Sequence, residues 1–207
     1  MKKVIAVLTS ATLIMGLITT TQAQIPGFGR GGSDDTEAAN NLLESFRISS
    51  KHNVDAQSLF ATALGLQDQV LLLQAEQSAL SSGQVDQEST EKAISVSASV
   101  QEAIAARIAS QPELSAEGKE SYLQGLISYF LAISTARDVV SAAQEAGSSS
   151  MANPLAAARQ AGSALFVARA APTYLKSLQE NASSLIAFGR QNGIEPPDNA
   201  TELLDSL

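Results

Sequence analysis

Apolar residues recur along most of this chain at alternating spacings of four and three, the period of a helix that buries one face. Ala39, Leu42, Leu43 and Phe46 form the first such face, which predicts a helix over Asp34–Ile48. Its acids fall in the first turns, where they suit the helix dipole. The polar run Ser49-Ser50-Lys51-His52-Asn53 then reads as a break, with Asn53 as a cap. A second helix is predicted over Val54–Ser82, stopping at Gly83. Its seam is Leu59, Ala63, Leu66, Val70, Leu73, Gln77 and Leu80. Leu64, Leu71 and Leu72 widen that stripe, so contact with more than one neighbour is expected.

The third helix is expected over Gln87–Ser110, ahead of Pro112. Ile94 to Val100 alternates with period two, as a strand would. Strong helix formers on either side override that reading. Ser115 reads as the cap of a fourth helix that reaches Ala146 and ends at Gly147–Ser150. Its seam is Tyr122, Leu126, Tyr129, Ile133, Ala136, Val140 and Ala143. Asn153-Pro154 opens a fifth, because proline in the first turn gives up no hydrogen bond. It carries Leu155, Ala158, Gly162 and Leu165 and is expected to end or kink at Pro172. The sixth, Thr173–Asn192, turns Leu175, Leu178, Ala182 and Leu185 inward and stops at Gly193. Short connections favour antiparallel neighbours, so the expected architecture is all-α: an antiparallel up-and-down bundle of about six helices with Ala- and Leu-rich seams.

The first 23 residues follow a different pattern. Lys2 and Lys3 precede an uncharged, mostly apolar run from Val4 to Ile18, and Thr21-Gln22-Ala23 supplies small residues at a cleavage position. This is the layout of a secretory signal peptide, cut between Ala23 and Gln24. The run is too short and too diluted for a spanning helix. The expected organisation is therefore a leader over 1–23, a Gly-rich arm over 24–33, the bundle over 34–193 and a tail over 194–207. Cleavage would leave 184 of the 207 residues, enough to bury a core. It would remove two lysines and no acids, moving the net charge from −8 to −10. Such an acidic chain repels phosphate backbones and anionic lipid, so no nucleic acid and no stable membrane anchor are expected. Leu123 to Ile133 is the longest later apolar run, and Gln124 and Ser128 interrupt it. The expected location is the periplasm or the medium.

The chain has no cysteine, which excludes disulfides, thiolate metal sites and a cysteine nucleophile. His52 is the sole histidine, read as a solvated loop residue. Neither a carboxylate-bridged metal pair nor a zinc site can be assembled from it. Haem on His52 and Met151 would need two positions that nothing in the sequence brings together. Neither metal nor cofactor is expected. Ser89-Thr90-Glu91-Lys92 matches the Ser-x-x-Lys spacing of serine acyl-enzymes, but the partner motifs Ser-Asp-Asn and Lys-Thr-Gly are missing. Ser89 is better read as a first-turn residue. Glu76, Asp86, Glu88, Glu91, Glu102, Glu113, Glu117 and Glu120 fall on predicted polar faces and loops, which makes a solvated surface rather than a carboxylate pair. Tyr122, Tyr129, Phe130, Phe166 and Tyr174 hold most of the aromatic mass and serve as core or as the lining of a pocket, with core the default.

No family resemblance carries over to this sequence. The expected function is that of an exported, soluble, non-enzymatic bundle of the bacterial envelope, binding a protein partner or a small apolar ligand. A structural or stress-protective envelope protein is the alternative, and an enzyme using the carboxylates or Ser89 is third.

Overall fold

The computed structural model describes residues 32–81, 87–152 and 154–197. The leader, the Ala23–Gln24 junction, most of the arm, Asp86, Asn153 and the end of the tail lie outside them. The described residues form five α-helices and no strand: α1 (Gly32–Ala63), α2 (Gln67–Ser81), α3 (Gln87–Ala109), α4 (Ala116–Ala152) and α5 (Pro154–Gln191). The all-α reading holds, and so does the choice of helix over strand for Ile94–Val100. The count of six does not.

Two predicted breaks are absent, and one stop appears where none was predicted. The polar run 49–53 is not a break, because α1 passes straight through it. Ser49, Ser50 and Asn53 are buried there, and His52 is a half-buried helical residue rather than a loop one. Pro172 does not divide the last helix: α5 continues through it. Proline leaves the carbonyl one turn back without its usual donor. Here Pro172 is exposed, so water can serve that carbonyl. The stop had gone unseen. Gly65 ends α1 in the middle of the expected second helix, in a left-handed conformation with φ of 72°. The amide of Leu66 donates to the Ala61 carbonyl at 2.8 Å, and that of Gly65 to Thr62 at 3.2 Å. These two bonds make a glycine stop of the Schellman type. Arg107 of α3 also donates to the carbonyl of Leu64. A Cβ at position 65 would meet no atom within 4 Å, so only the backbone conformation resists substitution. Gly65→Ala is expected to cost about 1 kcal/mol, read as a fall in the urea midpoint at constant slope.

The end of α5 and the start of α4 fall where expected, while the end of α4 does not. Gly193 closes α5 with the same pair of bonds, from Ile194 to Gly189 and from Gly193 to Arg190. Ser115 caps α4, its hydroxyl oxygen accepting from the amide of Gly118 at 3.0 Å. α4 runs on past Ala146 to Ala152, through Gly147–Ser150.

Side-chain pairs fix the helix directions. Tyr122 and Tyr129 of α4 donate to the carbonyls of Leu185 and Leu178 of α5, both at 2.9 Å. Seven residues forward on α4 match seven back on α5, so these two helices are antiparallel. Phe46 meets Tyr174, and Phe60 meets Tyr122, which meets Phe188. By the same logic α1 runs parallel to α5 and antiparallel to α4. The most extensive contact in the fold is between α1 and α4, followed by that between α4 and α5.

The larger part of the core surrounds Phe60, Tyr122, Leu126, Tyr129, Ile133, Leu178 and Leu185. It extends to Leu73 of α2 and to Val100 and Ile104 of α3. A smaller part, Leu42, Phe46, Val139, Val167 and Ala171, lies beside it. The expected α4 seam is buried from Tyr122 to Ala136 and half-buried at Val140 and Ala143. The seam drawn for the second helix holds in part: Leu73 is buried, and Ala63, Leu66, Val70 and Leu80 pack against the core. α1 buries Ala56, Phe60, Ala61 and Leu64, while Leu59 and Ala63 are half-buried and Gln77 is exposed. Leu71 and Leu72, expected to widen a buried stripe, are 66% and 41% exposed. Leu165, expected inward on α5, is 46% exposed, and Ala164 and Val167 take its place. Among the described residues, one stretch, Ala116–Gln144, is long and apolar enough by composition to cross a membrane. That is longer than the run read from sequence. Its apolar character has a use in the fold, since α4 is the helix packed against both α1 and α5.

Candidate functional site

Apart from the Tyr122 and Tyr129 hydroxyls between α4 and α5, the buried polar side chains among the described residues fall in two places, both lined by α1 and α3. The first is a seam along α1. Ser49, Ser50, Asn53 and Gln57 are each no more than 5% exposed. They sit at helical spacing on the stripe that begins with Leu42 and Phe46 and resumes at Phe60. The Ser49 hydroxyl donates to the Ala132 carbonyl at 3.0 Å and lies 3.4 Å from the Tyr174 hydroxyl. Asn53 Nδ2 donates to Ser97 Oγ at 2.7 Å, and Gln57 Nε2 donates to Ser97 O at 2.9 Å. α1 is thereby tied to α3, α4 and α5 through polar contacts within one stretch of helix. Burial pushes the Tyr174 hydroxyl up to about 12, against the hydrogen bonds from Ser49 and Ser50. Burial likewise raises Tyr122 and Tyr129. All three therefore stay protonated near neutrality, as the donor roles of Tyr122 and Tyr129 require.

The second place is a cavity of about 20 Å³ between α1, α2 and α3. Phe46, Arg47, Glu76, Ala79, Leu80, Ser89, Thr90 and Ala93 line it. Here the structure brings together two residues singled out from sequence, Glu76 and Ser89. Lys92, the amine of the Ser-x-x-Lys match, is exposed and does not line the cavity. Glu76 departs from the expected solvated surface, being 4% exposed. Glu88, Glu91, Glu102, Glu113, Glu117 and Glu120 are exposed, as expected. Desolvation raises the Glu76 carboxyl above the ordinary carboxylate range, and the positive charge of Lys92 only partly opposes this. Arg47, across the cavity, is already paired with Glu44.

A raised acid pKa has a definite sign in stability. The neutral carboxyl is favoured in the fold, so its contribution is complete at low pH and is lost as pH rises through the folded-state value. Glu76→Gln is therefore expected to stabilise the protein at pH 8, on the order of 1 kcal/mol. The gain should fade towards pH 4. Urea midpoints of both proteins across that range check this, and a constant offset would contradict it.

The other expected residues scatter. Tyr122, Tyr129 and Phe130 are core, which settles them as packing rather than pocket lining. Tyr174 and Phe166 are half-buried, and Tyr174 packs against both parts of the core. His52 and Met151 stand on different helices, α1 and α4. Among the described residues, no group of three metal-ligating side chains comes together. Sequence reasoning missed Ser49, Ser50, Asn53, Gln57 and Ser97. The usable signal was the unbroken period: 42, 46, 49, 53, 56 and 60 keep the four–three spacing through the polar run. Comparison with protein-family models, with curated proteins and with solved structures finds no match.

Proposed function

We propose that this is an exported, non-enzymatic helical protein of the bacterial envelope, an up-and-down bundle that works by contact with a protein partner. The observation that carries the choice of partner is where its free volume and its free apolar surface lie. Two cavities among the described residues hold about 20 and 10 Å³. Pockets for small organic ligands span roughly 300–1,000 Å³. A small apolar ligand in either cavity would therefore have to displace packed core. Apolar surface is instead offered outward, at Leu71 and Leu72 on α2 and at Ile127 and Leu131, one turn apart on α4. The leader pattern over 1–23 supports export, and the net charge of −8 disfavours nucleic acid.

The test begins with expression of the full chain from its own leader. N-terminal sequencing of the exported form should begin at Gln24, and a retained Met1 would overturn the export reading. Photocrosslinkers at Leu71 and Leu131 should then give a discrete adduct in the envelope, lost with Leu71→Glu or Leu131→Glu. Monomer alone in every case would refute the partner reading. A structural or stress-protective role is the second reading, favoured by the long packed helices, and predicts an envelope defect on deletion without any adduct.

A further inference from the structure

We propose that the seam between α1, α3 and α5 is a built site for one ordered water molecule, bound by Asn53 Oδ1. A cavity of about 10 Å³ lies there, lined by Ser50, Asn53, Val54, Ala93, Ile94, Ser97 and Tyr174. Asn53 is 2% exposed, and its Oδ1 has no hydrogen-bond partner. An amide oxygen left bare in a core costs about 1–3 kcal/mol, so folded proteins rarely leave one. Turning the amide over does not help. Nδ2 now donates to Ser97 Oγ at 2.7 Å, and the turn would exchange a bare oxygen for a bare N–H.

The cavity matches one water in size, since about 10–15 Å³ of such space is what a single water needs. It also matches in chemistry. Water would donate to Asn53 Oδ1 and find a second partner among the hydroxyls of Ser50, Ser97 and Tyr174, residues that all line the cavity. A divalent cation such as Ca²⁺ or Mg²⁺ would want about six or more oxygens and a balancing charge. No carboxylate lines this cavity. Gln57 Oε1, farther along the same seam of α1, is also buried without a partner. The seam thus has an excess of acceptors, which favours an occupant that brings hydrogens.

A crystal structure of the full chain at a resolution that orders solvent tests this directly. One peak is expected between about 2.7 and 3.2 Å from Asn53 Oδ1 and from one wall hydroxyl. In solution, the same water should give persistent cross-relaxation with the side chains of Val54 and Ile94. Asn53→Leu should abolish both signals. Ser50→Ala, which keeps Asn53, should leave the peak bound to Oδ1. An empty cavity, an Oδ1 served by a protein donor, or a peak with several contacts near 2.4 Å and sodium-dependent occupancy would each overturn the proposal.

Discussion

Phe60→Ala is expected to cost about 3–5 kcal/mol, the range for truncating a fully buried aromatic. Phe60 has no exposed surface, and its ring centroid lies 4.7 Å from that of Tyr122 and 6.0 Å from that of Tyr129. It is the point where α1 meets the aromatic residues that join α4 to α5. Truncation removes the buried area, leaves a cavity and deprives two tyrosine rings of a neighbour. The loss would be a large share of a typical folding free energy of about 5–15 kcal/mol. Thermal unfolding should fall by roughly 10 °C or more. Leu71→Ala is the control: on a side chain 66% exposed it should change stability by less than about 0.5 kcal/mol. Equal losses at the two positions would mean that Phe60 is not where the core is closed.

Gly125→Ala should also destabilise, against the ordinary trend. Alanine in a helix interior is worth about 1 kcal/mol more than glycine. A Cβ at position 125, however, would stand 2.7 Å from both Cδ1 and Cε1 of Phe60. That ring is locked among buried neighbours and cannot swing aside. Overpacking of this kind costs about 1–3 kcal/mol, so after the helix-propensity gain a net loss of up to about 2 kcal/mol is expected. The cause can be isolated. In a Phe60→Leu background the clash is relieved, and Gly125→Ala should become neutral or favourable. The double-mutant cycle should give a coupling of at least about 1 kcal/mol, and additive effects would refute the close approach. Both predictions rest on how tightly α1 lies against α4, which also allows Ser49 to reach the Ala132 carbonyl.

The partner proposal and the packing belong together. The interior is spent on aromatic and aliphatic contacts, on the polar seam of α1 and on the small cavity at Glu76, and recognition is accordingly assigned to the outer faces of α2 and α4. Ile127 and Leu131 are therefore the residues whose replacement should alter association while sparing the fold.

Much of this protein was legible in its residues. The four–three spacing determined that it is helical and which face of α4 is buried. Ser115 and Gly193 marked their helix ends, because a cap acts on the adjacent backbone and needs no distant partner. Serine, asparagine and proline misled at 49–53 and at 172. Their local preference is for turns, yet a helix already held by packing overrides it. The burial of Ser49, Asn53 and Gln57 depends on acceptors at Ala132 and Ser97, far away in sequence, and period alone does not distinguish such a face from a break. Gly65 was missed for the opposite reason: its left-handed stop was hidden inside a run of leucines that looked continuous. Glu76 looked like one more surface acid until α1 and α3 closed over it. The sequence by itself thus determined the helical class, the apolar stripes and the ends set by local capping. Only the tertiary structure decided which polar residues are enclosed, which leucines are left outside, and where the helices approach closely, because burial belongs to the assembled set of helices and to none of them alone.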